Sequence, residues 1–205
     1  MDAVEFKQTD PSSNSTTGVK LTQKAYYRNS SRPIDDPARK RSPLDCGDLE
    51  IRIARDGSWF YRGSPIDRPS LVKLFASVLR READGRYWLV TLAERGRIDV
   101  EDVPFLAVAL TIEGAGRNQQ LIFGTNLDEF VTAGVDNPLR VETAASGEPA
   151  PYILVRDGLE ARLARPVFYE LVELGTEERV GGTTQFGVWS KGVFLRLGEA
   201  APDWK

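Results

Sequence analysis

Apolar and polar residues fall into a regular pattern only after Pro43. In LEIRIA, Leu49, Ile51 and Ile53 alternate with Glu50, Arg52 and Ala54, the period-two signature of a half-buried strand. Asp56-Gly57 supplies the positive-φ dipeptide of a tight hairpin, and SWFYR is the returning strand. Asp67 or Arg68 then sits at a helix N-terminus, with Pro69 in the first turn where no intrahelical donor is lost. Leu71, Leu74, Phe75, Val78 and Leu79 fall on one face at helical spacing, and Arg80-Arg81 closes the helix against its dipole. After the Asp84-Gly85 turn come YWLVTL and a further strand beyond Gly96.

The middle of the chain reads as more β structure. FLAVALTI alternates, EGAGRN turns, QQLIFGT returns, and a polar connection over residues 126–138 leads to LRVE. TAASGEPAP marks a linker. PYILVRDGLEARL then makes a second hairpin about Asp157-Gly158, and Pro166 opens a helix with Val167, Phe168, Leu171, Val172 and Leu174 on its apolar face. Gly181-Gly182 leads into TQFGVWS, and Lys191-Gly192 into VFLRL.

These two runs echo each other. Arg55-Asp56-Gly57 aligns with Arg156-Asp157-Gly158, Arg68-Pro69 with Arg165-Pro166, Leu71 with Phe168, Leu74 with Leu171, Gly85 with Gly182 and Gly96 with Gly192. The ordered set predicts an α+β fold of two duplicated β-β-α-β-β units with extra antiparallel strands between them. The domain reading is a polar, poorly ordered arm over residues 1–44, a first unit over 45–103, and the central strands with the second unit over 104–205. The arm carries the basic cluster Arg39-Lys40-Arg41, read as solvated chain because such composition buries too little surface to offset its ordering entropy.

Composition narrows the chemistry. The 205 residues contain no histidine and one cysteine, Cys46. That excludes histidine-based triads and acid/base catalysis, ordinary zinc sites and an internal disulfide. Neither a metal nor a cofactor is expected. A net charge of −3 gives no global field toward nucleic acid or anionic membrane. No apolar run approaches the roughly 20 residues that span a bilayer, and the N-terminus lacks the apolar core of a secretory signal. The expected location is the cytoplasm.

Three places could hold chemistry. Trp59 and Tyr61 project from one face of their strand, Phe60 and Arg62 from the other; one pair is core, and the other offers an aromatic seat beside arginine. Arg52, Arg55, Arg62 and Arg68 cluster in the first unit, with Arg68 at a helix N-terminus and Ser64 in the Gly63-Ser64-Pro65 loop before it, a weak anion cradle. The alternative is that these arginines pair with Asp56, Asp67 and Glu50. Glu94, Asp99 and Glu101-Asp102 form an acidic stretch that could hold magnesium or could be a solvated loop. Lys191 lies beside Trp189 in the second unit. Because the first copy keeps the aromatics and the longer loop, it is the copy expected to bind.

The stretch CGDLEIRIARDGSWFYRGSPIDRPSLVKLFASVLRREADGRYWLVT, continued through RIDVEDVPF, FGTN, VTAG, PYILVRDGLEARLARPVFYELVELG and FGVWSKGVFLRLG, resembles the bacterial family labelled domain of unknown function 1285, over residues 45 to about 198. The resemblance implies a duplicated α+β architecture whose C-terminal unit is similar to pleckstrin-homology-like folds. It also implies a nucleotide-like ligand between the two units and a role in signal transduction; no enzymatic activity is established for the family. Two departures stand out: Thr91-Leu92-Ala93-Glu94-Arg95 where the family has Thr-Pro-Val-Glu-Lys, and Asn137-Pro138 where it has histidine-proline. The functional expectation is a cytoplasmic ligand-binding or sensory module taking a nucleotide-like or other anionic molecule at the interface between units, through Arg52, Trp59, Tyr61, Arg62, Ser64, Arg68, Glu94 and Lys191. A protein-interaction module without a small ligand is the second reading, and a carboxylate-dependent magnesium enzyme using Glu94 with Asp99 or Asp102 is the third.

Overall fold

A computed structural model describes residues 42–143 and 147–199. The polar N-terminal stretch with Arg39-Lys40-Arg41, and part of the TAASGEPAP linker, lie outside them. In chain order the elements are β1 (Leu44–Ile53), β2 (Trp59–Tyr61), β3 (Ser64–Pro65), α1 (Pro69–Ser77), β4 (Leu79–Arg81), β5 (Tyr87–Val90) and β6 (Glu94–Val100). There follow β7 (Phe105–Glu113), β8 (Gln120–Thr125), β9 (Phe130–Thr132), β10 (Leu139–Thr143), β11 (Pro149–Arg156), β12 (Leu159–Leu163), α2 (Arg165–Glu173), β13 (Thr176–Val180), β14 (Thr183–Ser190) and β15 (Val193–Glu199).

The strands form two mixed six-stranded sheets, ordered β3-β2-β1-β6-β5-β4 and β10-β11-β12-β7-β8-β9, and a three-stranded sheet β13-β14-β15. Each large sheet joins two antiparallel halves through one parallel pair, β1 with β6 and β12 with β7. In the first unit the hairpin therefore joins strands that follow it in the chain. In the second it joins strands that precede it, and the three strands after α2 stand apart. A continuous core runs through all of this, from Ile51, Ile53 and Trp59 by way of Phe105 and Phe123 to Leu171, Val188 and Leu195.

Both Asp-Gly hairpins form where the sequence places them, and each helix starts at its Arg-Pro step. Arg68 and Ala164 are extended N-cap residues without a capping side chain, so the proline supplies the start signal. Each helix is followed by three strands rather than the expected two. The missed ones, β4 and β13, have sequences LRR and TEERV: short and charged, as suits sheet edges that must not pair with other chains, and without an alternating signal. Arg80-Arg81, expected to close α1, belong to β4, where Arg80 pairs with Trp88 and Arg81 with Tyr87.

The helices also bury different faces. Leu171 is fully buried, whereas Leu74, its partner in the repeat, is 60% exposed; α1 buries Val72 and Ala76 instead. The Gly85–Gly182 equivalence falls in corresponding turns, but Gly96 sits inside β6 while Gly192 is in the β14–β15 turn. Gly96 is small because a Cβ there would fall 2.4 Å from Leu49.

Candidate functional site

Sheet alternation decides the first candidate stretch. Trp59 is 3% exposed, packed on Phe75 with ring centroids 6.2 Å apart, so its face is the core face. Tyr61 shares that face beyond the edge of the core and is half exposed, with the Arg62 guanidinium 5.2 Å from its ring. Arg62 has φ of 50° and donates from Nε to Glu50 at 2.6 Å, a pairing that raises its pKa. Arg52, on the opposite face, lies 4.4 Å from the Phe60 ring and pairs with Glu101. Ser64 is exposed in β3, and the exposed Arg68 side chain makes no helix-capping bond.

The eight sequence candidates do not converge. Tyr61, Arg62 and Ser64 share the β2–β3 hairpin. Glu94 opens β6 beside Leu44, at the far end of that strand from the hairpin's Arg52 row, where Arg52 is the partner of Asp99. Lys191 lies in the β14–β15 turn, its amide donating to Gln119 and its side chain beside Gly134. Glu94 and Asp99, five residues apart on one strand, are separated by about 16 Å at roughly 3.3 Å per residue and point to opposite faces, so they cannot share a metal ion. Among the described residues there is no cluster of three metal-ligating side chains.

Asp102, from the same acidic stretch, is instead part of the seam between units. It accepts hydrogen bonds from the Tyr152 hydroxyl at 3.1 and 3.3 Å and from Arg162 at 3.0 Å, with Arg55 at 4.0 Å. Burial first, and then the Asp102 carboxylate, push the Tyr152 pKa up. Arg140 stacks 4.2 Å from the Tyr152 ring while forking onto Glu160 at 2.6 and 2.8 Å.

The two echoing turns meet the opposite unit. At the first, Asn126 reaches from the β8–β9 connection to the Gly57 carbonyl at 3.4 Å, and its Oδ1 accepts from the Leu106 amide. A Cβ at Gly57, which has φ of 82°, would stand 2.6 Å from the Asn126 amide nitrogen, so only glycine lets the turn dock. At the second, Arg81 of β4 donates to the Gly158 carbonyl at 3.4 Å. Beside this contact lies an open groove of about 430 Å³. One wall is Lys73, Ala76, Ser77 and Arg80 from the end of α1 and β4; the other is Leu127, Glu129, Arg156 and Asp157.

One ion pair and one charged hydrogen bond cross this groove. Lys73 meets Asp128, and Arg156 forks onto Glu129 at 2.8 and 3.1 Å while donating to the Ala76 carbonyl at 2.8 Å. A cation at the carbonyl end of a helix is favourable against its dipole. Arg80 serves the same end, donating to the Leu79 carbonyl at 2.7 Å and the Ser77 carbonyl at 3.4 Å. Sequence singled out Arg156-Asp157 as an echo but expected binding in the first copy. Lys73 gave no signal, since a lone charge on an exposed helix face is ordinary, and Arg80 was read only as the end of α1.

The chain is similar to other proteins in sequence and fold. Residues 36–103 match the family described as domain of unknown function (DUF1285), N-terminal domain, and residues 104–197 its C-terminal domain. A crystal structure of a DUF1285 family protein from Silicibacter pomeroyi DSS-3 is 45% identical, covering 80% of this chain and 88% of its own, with a TM-score of 0.72. A DUF1285 family protein from Shewanella baltica OS155 is 25% identical over 62% of this chain and 91% of its own, with a TM-score of 0.49. No curated protein matches the chain. Both halves of the sequence and the fold they build thus lead to one conclusion: the chain belongs to the DUF1285 family.

Proposed function

We propose that this protein is a ligand-binding module whose site is the groove between its two units, taking a small molecule that carries an anionic group, with nucleotide-like compounds among the candidates. The observation that carries this reading is the groove itself: about 430 Å³, within the range of small-molecule sites, with side chains from both units and the cations Lys73, Arg80 and Arg156 on its walls. Because both walls contribute, an occupant would tie the units together, the kind of population shift a sensory module transmits. No helix among the described residues is long and apolar enough to cross a membrane.

The test is thermal denaturation with a panel of nucleotides, inorganic phosphate, carboxylic acids and amino acids at about 10 mM, on wild type and on Ser77→Trp. Ser77 is exposed on the groove wall and uncharged, so the indole fills space without removing any of the lining charges. A compound that raises the wild-type Tm and fails on Ser77→Trp supports the site. No stabilisation by any compound, or stabilisation that survives Ser77→Trp, counts against it.

A further inference from the structure

The charges of the groove are not equivalent. Lys73 is neutralised by Asp128, and Arg156 by Glu129. Two charges are left over, one on each wall. Arg80 touches only the carbonyls of Ser77 and Leu79 and, among the described residues, has no carboxylate partner. Asp157, exposed at the tip of the β11–β12 turn, has no cationic partner among them and forms no ion pair with Arg80. Arg80 stands on the wall formed by the C-terminal end of α1, whose Ala76 and Ser77 carbonyls are already taken by Arg156 and Arg80.

We infer that the ligand of this groove is zwitterionic, with a carboxylate taken by Arg80 and an ammonium taken by Asp157, in the size range of an amino acid or dipeptide. This rests on the reading of the groove as a ligand site. A planar guanidinium takes a carboxylate through two parallel N–H bonds, and an aspartate accepts from an ammonium with charge assistance. A polyphosphate fits poorly. Its several negative charges would meet the unpaired Asp157, while Arg80 is the one lining cation among the described residues that no carboxylate neutralises. Bridging one unpaired charge on each unit also gives the ligand a hold on both.

The experiment compares the twenty L-amino acids and a set of dipeptides with their N-acetylated and C-amidated forms and with nucleoside mono- and diphosphates, each at about 10 mM, by thermal shift and calorimetric titration. At about a hundredfold excess over Kd, a zwitterion should raise Tm by roughly 5–10 °C, and both blocked forms should lose the shift. Arg80→Met should abolish the shift. Asp157→Asn should also abolish it while leaving the fold intact, because asparagine tolerates the φ of 45° found there. Binding of a nucleotide without any zwitterion, or full binding of a blocked form, overturns this inference and leaves the groove reading standing. Absence of binding by every compound overturns both.

Discussion

Replacing Asp102 with alanine removes the carboxylate that holds the end of the first unit to the β11–β12 hairpin. The side chain is 17% exposed and its partner Arg162 26%, so the pair is shielded but not dry. A hydrogen bond to a charged group contributes about 1.5–3 kcal/mol and a neutral one about 1. Discounting Arg162 for partial rehydration, and adding the Tyr152 hydroxyl, gives a loss of roughly 2–3 kcal/mol. For a chain of this size that is roughly 5–10 °C in Tm. Tyr152→Phe alone should cost about 1 kcal/mol, since Asp102 keeps Arg162. Because the two residues touch, the double variant should fall short of additivity by about 0.5–1.5 kcal/mol. Urea denaturation of the four proteins, with midpoints and slopes compared, measures this. If Asp102→Ala stays within about 0.5 kcal/mol of wild type, or the two changes add within about 0.3, the seam carries no such coupling and the reasoning fails.

Gly187→Ala should destabilise strongly, because the new methyl would stand 2.4 Å from the Leu195 carbonyl oxygen and that backbone belongs to the paired strand β15; a Tm loss under about 2 °C would show the sheet can give way. Trp59→Ala should cost about 3–5 kcal/mol, whereas Trp59→Phe should cost under about 1.5, because it keeps an aromatic contact with Phe75 and removes a buried Nε1 that has no hydrogen-bond partner among the described residues; comparable losses would contradict the packing argument. With no histidine, stability should be flat from about pH 5.5 to 8. Tyr152 and Tyr87 are both raised above 10.0, chiefly by burial, so the stability of their neutral forms is fully present below pH 10 and lost as pH rises through the folded values. A Tyr152→Phe variant should lose less stability than wild type above pH 10; an unchanged alkaline limb would contradict this.

The hairpins at Asp56-Gly57 and Asp157-Gly158, the helix starts at Pro69 and Pro166, and the alternating core strands were legible in the chain. Each depends on local geometry: a positive-φ turn, a fixed proline φ, a period of two or 3.6. Absence of histidine likewise limited the chemistry before any fold was known. The charged edge strands β4 and β13 were hidden because an edge needs little apolar burial and so leaves no periodic mark.

What only tertiary structure decided is which partner each repeat meets. Leu74 and Leu171 occupy matching positions in sequence, yet one faces solvent and the other the core, because α1 turns Val72 and Ala76 inward where α2 turns Val167 and Leu171. Arginine placement followed the same rule: Arg52 and Arg62 are taken up by Glu101 and Glu50, whereas Arg80 and Asp157, distant in the chain, are left facing one groove. Pairing between charges dozens of residues apart depends on loop closure and sheet order, and no local pattern in the sequence encodes either.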